Sequence, residues 1–227
     1  MEKQEITVVA QDKALIALLE YKFKIKKVIN FKDYLNKLVS LWENEETPNE
    51  LLADFLLIGE DVDEKQFISP KIKEKDTVYE TLRSIYNVHS EMYYRKPKII
   101  GFGSGAFVVA RLNNVPLLYD INNHNNTVHL TSFIMHDDKV LDFDVKSNHS
   151  NLIAPTKTQN FEILAFSTYN ISQSYTTNVG KVFKAERDFL EIEALKLTNK
   201  NSYCFLYDTP QKGESVLIDL TLQLLQR

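Results

Sequence analysis

The sequence predicts an α/β protein of three layers, with helices on both faces of a mostly parallel central sheet and a second half rich in β-hairpins. Three observations carry the prediction. Short β-branched runs alternate with helix-period segments through the first half of the chain. Glycine is scarce, 6 residues in 227, yet Gly101, Gly103 and Gly105 crowd into one strand-to-helix turn. The second half carries strand patterns separated by turn residues, with a helical pattern only at its end. No linker or repeat divides the chain, so one domain over residues 1–227 is expected.

Taken in order, Ile6-Thr7-Val8-Val9-Ala10 is the apolar run of a buried parallel strand. Asp12 caps a helix expected from Ala14 to Val28, where Leu15, Leu18, Leu19 and Phe23 recur at helical spacing. A strand over Val28–Phe31 and a helix over Tyr34–Trp42 follow. Asp54–Gly59 reads as a buried strand ending at a glycine, and Thr77–Tyr94 as a long helix. Lys98–Phe102 is the strand before the glycine-rich turn, and Ala106–Leu112 the helix after it. Thr127–His136 and Val140–Val145 flank a hairpin turn, and Ser167–Gly180 reads as an exposed polar hairpin or loop. Phe161–Ser167, Phe189–Leu197 and Tyr203–Tyr207 are strands, and Ser215–Leu225 is an amphipathic helix.

Composition narrows the function classes. With 27 basic and 31 acidic residues the chain is formally −4, which argues against a general nucleic-acid coat, since counterion release needs clustered cations. Cys204 is the single cysteine, excluding an internal disulfide framework and a cysteine-rich zinc site. Apolar stretches are far shorter than the ~18 residues of a membrane span. The expected location is the cytoplasm. The abundance of Lys, Asn and Ile fits an AT-rich genome such as that of a bacterial virus, which would make it the host cytoplasm.

The glycine-rich turn allows three readings. A phosphate loop would aim amide N–H groups from a helix N-terminus, but the spacing lacks both the dinucleotide fingerprint and the Lys-Ser/Thr of a P-loop. A G-x-S-x-G elbow centred on Ser104 fails in register, because Phe102 and Ala106 occupy the flanking positions. Shifted by one, Gly101-Phe102-Gly103-Ser104-Gly105 resembles the G-x-C-x-G elbow of class I glutamine amidotransferases and the related γ-glutamyl hydrolases. Leu56–Asp61 looks like that family's oxyanion segment, Lys96–Ile100 like its proline-started strand, and Ser147-Asn148-His149 like its Ser-x-His motif. The shared order runs over residues 6–225 and implies the flavodoxin-like glutamine amidotransferase fold.

In that family a cysteine attacks the glutamine carboxamide, a histidine activates it, and a glutamate orients the histidine. The resemblance puts Gly103 at the cysteine position, Asp208 at the histidine and Pro210 at the glutamate. All three have departed, so it implies a hydrolase site that is degenerate. Gly59, Gly103, Ser104, Gly105 and His149 would then line a vestigial ligand pocket. The implied work is binding: a small molecule in that pocket, or a protein partner such as the ligase or synthetase on which amidotransferase domains dock. The alternative is an active amidohydrolase rearranged around Ser104 and His149. No cofactor is implied. A metal site is weighed from His124, His129, His136 and His149 with Asp137, Asp138, Asp142 and Asp144, where His129 could share a face with Asp142 or Asp144. The opposing reading, a solvated polar face, is preferred, and no metal is expected.

Overall fold

A computed structural model describes residues 3–44, 51, 53–59, 62, 98–120, 127–135, 139–147, 151–156, 160–167, 174–177, 180–184, 191–197, 202–208, 210 and 214–225. Five parallel strands form one half of its main sheet: β1 (Glu5–Val9), β2 (Lys24–Ile29), β3 (Phe55–Ile58), β4 (Lys98–Phe102) and β13 (Ser202–Phe205). The other half is antiparallel: β6 (Thr127–Ile134), β7 (Val140–Ser147), β9 (Phe161–Ser167) and β12 (Ile192–Leu197). The order across the sheet is β2-β1-β3-β4-β13-β12-β9-β6-β7. The last strand in sequence is thus inserted at the centre, where the two halves meet.

Helices cover both faces. On one side α2 (Phe31–Glu43) and α3 (Ser104–Leu112) bury Phe31, Tyr34, Leu38, Phe107 and Val108 with Val9, Ile58 and Leu206. On the other, α1 (Lys13–Lys22) and α4 (Ser215–Leu224) bring Leu15, Leu19, Leu220 and Leu224 against Ile6, Leu57, Ile100 and Phe205. Each such fully buried side chain contributes about 1.5–3 kcal/mol relative to exposure. The result is the three-layer α/β architecture that the sequence predicts. Among the described residues no helix is long and apolar enough to cross a membrane.

Local signals explain several boundaries. The Asp12 carboxylate accepts the Leu15 N–H at 3.3 Å, as an N-cap should, and Asn30 Oδ1 accepts the Asp33 N–H at 2.8 Å. The first helix stops earlier than expected: α1 ends at Lys22, and the strand expected over Val28–Phe31 instead runs over Lys24–Ile29, with Phe31 opening α2. That strand's Lys-Ile-Lys-Lys-Val-Ile pattern alternates exposed and half-buried residues along the edge, a period of two that the preceding helical spacing obscures. The expected Thr77–Tyr94 helix lies outside the described residues.

A second, smaller sheet was not legible in the sequence. It has the order β11-β10-β5-β8, from β11 (Val182–Lys184), β10 (Ser174–Thr177), β5 (Leu117–Asp120) and β8 (Asn151–Ile153). The polar stretch 167–180, read as exposed, therefore contributes a strand, and Tyr175 within it is 1% exposed.

Candidate functional site

The strands β3, β4 and β13 are neighbours and parallel, so their carboxyl ends open on one edge of the sheet. In open α/β sheets that edge is where ligands bind. Gly59 follows β3 there, Gly103 joins β4 to α3, and Leu206–Asp208 follow β13.

The turn after β4 is built by its glycines. A Cβ on Gly101 would stand 2.6 Å from the Ala106 Cα, and one on Gly105 only 2.2 Å from the Ile58 carbonyl oxygen. Both positions must lack a side chain for α3 to start this close to β3 and β4. Gly103 has φ 49° and ψ −121°, a conformation that strains any L side chain. Its N–H donates to the Phe205 carbonyl at 2.9 Å and its carbonyl accepts the Ala106 N–H at 3.1 Å. The helix begins at Ser104, two residues before the expected Ala106. Gly103 is thus the N-cap, and Ser104, 6% exposed, is the first helical residue.

Opposite this turn, Asp208 is held by its backbone. Its N–H donates to the Lys146 carbonyl at 2.9 Å, while its carboxylate lies 3.9 Å from Lys146 Nζ and is 17% exposed. Pro210 is buried. A carboxylate beside an ammonium and a proline ring do not reproduce an imidazole oriented by a carboxylate. Gly59 donates its N–H to the Val9 carbonyl at 3.0 Å, and a Cβ there would lie 2.7 Å from the Ala10 Cβ. His149, Glu60 and Asp61 lie outside the described residues, and with His149 so does the Ser104–His149 pairing.

Two other sequence candidates are placed elsewhere. Cys204 lies inside the sheet, in register with Gly101 and Leu195, fully buried, and burial pushes its thiol pKa well up. It is not a nucleophile in this setting. The hairpin register pairs position 129 with Val145, Asp144 with Leu130 and Asp142 with Ser132, so neither aspartate is the ladder partner of position 129. Ser132 Oγ instead donates to Asp142 Oδ1 at 2.7 Å. His124, His136, Asp137 and Asp138 lie outside the described residues.

Sequence reasoning missed two acidic side chains at this end of β12. Glu191 and Glu193 alternate with apolar residues, which reads as a solvated face, yet both are 0% exposed. A register shift between Ile192 and Ala194 breaks the alternation that would have turned them outward. The Tyr175 hydroxyl donates to Glu191 Oε1. Burial raises the Tyr207 phenol pKa, the hydrogen bond with Thr221 opposes that, and Glu193 adds to the rise. Tyr207 Oη and Thr221 Oγ1 are 2.9 Å apart.

No family model and no curated protein matches the sequence. Solved structures do match. One is a putative GMP synthase subunit from Thermoplasma acidophilum, with TM-score 0.54 and 15% identity, the match covering 100% of this chain and 94% of that one. This chain shares the fold of that protein. A glutamine amidotransferase from Thermotoga maritima also aligns, over 100% of this chain and 84% of its own, at TM-score 0.49 and 6% identity. Identities this low carry fold and not chemistry.

Proposed function

We propose that this glutamine amidotransferase-like protein has lost glutamine hydrolysis and works by binding, with a protein partner docked on the scaffold or a small ligand at the carboxyl edge. The observation that carries this reading is Gly103. It occupies the sharp strand-to-helix turn at φ 49°, and it has no side chain with which to form an acyl intermediate. Asp208 and Pro210 supply neither the base nor its orienting carboxylate. The partner half of the reading is supported by a fold shared with a protein described as one subunit of a synthase.

Ammonia release from glutamine and from γ-glutamyl amides tests it. The expected result is no turnover above the uncatalysed background, in wild type and in Ser104→Ala alike. Turnover in wild type that Ser104→Ala abolishes overturns it and establishes the rearranged active site around Ser104 and His149. Affinity capture from the native source, with stoichiometric recovery of one partner, separates the protein-binding role from a small-ligand role.

A further inference from the structure

The opposite edge of the sheet, where the parallel strands begin, carries a second cluster. One residue from each of five adjacent strands lies near it: Phe55 on β3, Lys98 on β4, Tyr203 on β13 (in register with Ile100, two residues beyond Lys98), Lys196 on β12 and Glu162 on β9. The register pairs Phe55 with Lys98, Tyr203 with Lys196, and Lys196 with Glu162. Lys98 Nζ lies 5.7 Å from the centre of the Phe55 ring and 5.8 Å from that of Tyr203. Lys196 Nζ lies 5.7 Å from the same Tyr203 ring. Two ammonium groups therefore share one aromatic ring.

From these residues we infer that the cluster is a phosphate-binding site, with Lys98, Lys196 and the Tyr203 hydroxyl as its donors. Three features point to an anion. Ring faces attract each cation, yet the Lys196 charge still acts against the charged form of Lys98. Glu162 is the ladder partner of Lys196 on the neighbouring strand; among the described residues Lys98 has no ion pair. The Tyr203 side chain is 0% exposed and its hydroxyl has no hydrogen-bond partner among the described residues. Buried hydroxyls are normally satisfied, so a donor left over beside an unpaired ammonium marks a place where an acceptor belongs. Burial, and then Lys196, hold the Lys98 pKa below the usual lysine value, which a bound anion would reverse. Burial, and then Glu162, raise the Tyr203 phenol pKa, so its hydroxyl remains a donor at neutral pH.

A phosphate group suits these donors better than a carboxylate. Lysine ammoniums act as point charges without the planar fork that matches carboxylates, and a tetrahedral dianion offers acceptors in several directions at once. Free phosphate and a phosphate carried on a small molecule share this chemistry. The cluster lies at the beginnings of β4 and β13, whereas Gly103 and Asp208 follow their ends, so the two sites are separate.

Thermal unfolding of the full chain with potassium phosphate, against potassium chloride at matched ionic strength, tests the inference. Phosphate in excess of its Kd is expected to raise Tm by about 2 °C or more over chloride. Lys98→Met is expected to abolish that rise. Tyr203→Phe is expected to fold at least as well as wild type and to weaken the response several-fold. On the wild-type protein, phosphate is expected to slow acylation of Lys98 by acetic anhydride several-fold, read by peptide mass spectrometry, which needs no variant to fold. A larger rise with glycerol 3-phosphate supports the site and assigns it a carried phosphate; an equal or smaller rise supports it with the free ion. Equal Tm in phosphate and chloride, or Lys98 acylation unchanged by phosphate, overturns it.

Discussion

The ends of β4 and β13 lie side by side on the same edge, and they are held in opposite ways. Beyond β4 the chain is fixed by backbone geometry. Gly101 and Gly105 leave no room for a Cβ, and Gly103 takes a φ that disfavours one. Beyond β13 it is fixed by side chains, with Tyr207 bonded to Thr221 and packed on Phe102, Phe133 and Phe205. The difference teaches what each end tolerates. A turn specified by sterics depends on having no side chains there, and glycine at its centre relieves the strain that any side chain would carry.

Substitutions at the two ends should therefore fail differently. The largest effect is expected at Gly105, where a Cβ would meet the Ile58 carbonyl at 2.2 Å. Gly105→Ala should cost about 3 kcal/mol or more in denaturant unfolding, or prevent folding altogether. Gly103→Ala meets the backbone penalty of φ 49° and should cost about 1–2 kcal/mol. If Gly105→Ala were as stable as wild type, the steric account of the β4 turn would be wrong.

At the β13 end the expected losses are smaller and depend on pH. Cys204 and Tyr207 are buried as neutral groups, with folded pKa values raised above the ordinary 9.0 of a thiol and 10.0 of a phenol. Between unfolded and folded pKa the native state holds the extra proton. Stability should thus be unaffected below pH 9 and fall above it, by up to ~1.4 kcal/mol per pH unit for each group. Cys204→Ala should remove the first part of that slope, in urea melts from pH 7 to 11. Tyr207→Phe gives up one buried hydrogen bond and should cost about 1 kcal/mol.

Much of this was legible in the sequence, and the exceptions share a cause. Strands β1, β3 and β4 and helix α4 announce themselves through local periodicity and fall within a residue or two of where it puts them. The hairpin of β6 and β7 is also local. Strand β2 was placed too late, over Val28–Phe31, because its first residues extend the helical spacing of the preceding segment as plausibly as an alternating one. The small sheet was hidden because β5 pairs with β8 and β10, partners 30 or more residues away, and Tyr175 sits among polar neighbours. Nothing local marks Glu191 and Glu193 as buried, because their burial depends on the register shift of β12 against β9. At the site, the three glycines were legible as a turn, whereas the steric need for Gly101 and Gly105 depends on how closely α3 approaches β3.

The central claim is that the turn at Gly103 presents no nucleophile. Intact-mass spectrometry after incubation with an electrophilic glutamine analogue tests it most directly. The account predicts an unmodified wild-type mass under conditions where an active glutamine amidotransferase is labelled stoichiometrically. A single adduct mapped to Ser104, formed at one per chain, would contradict it.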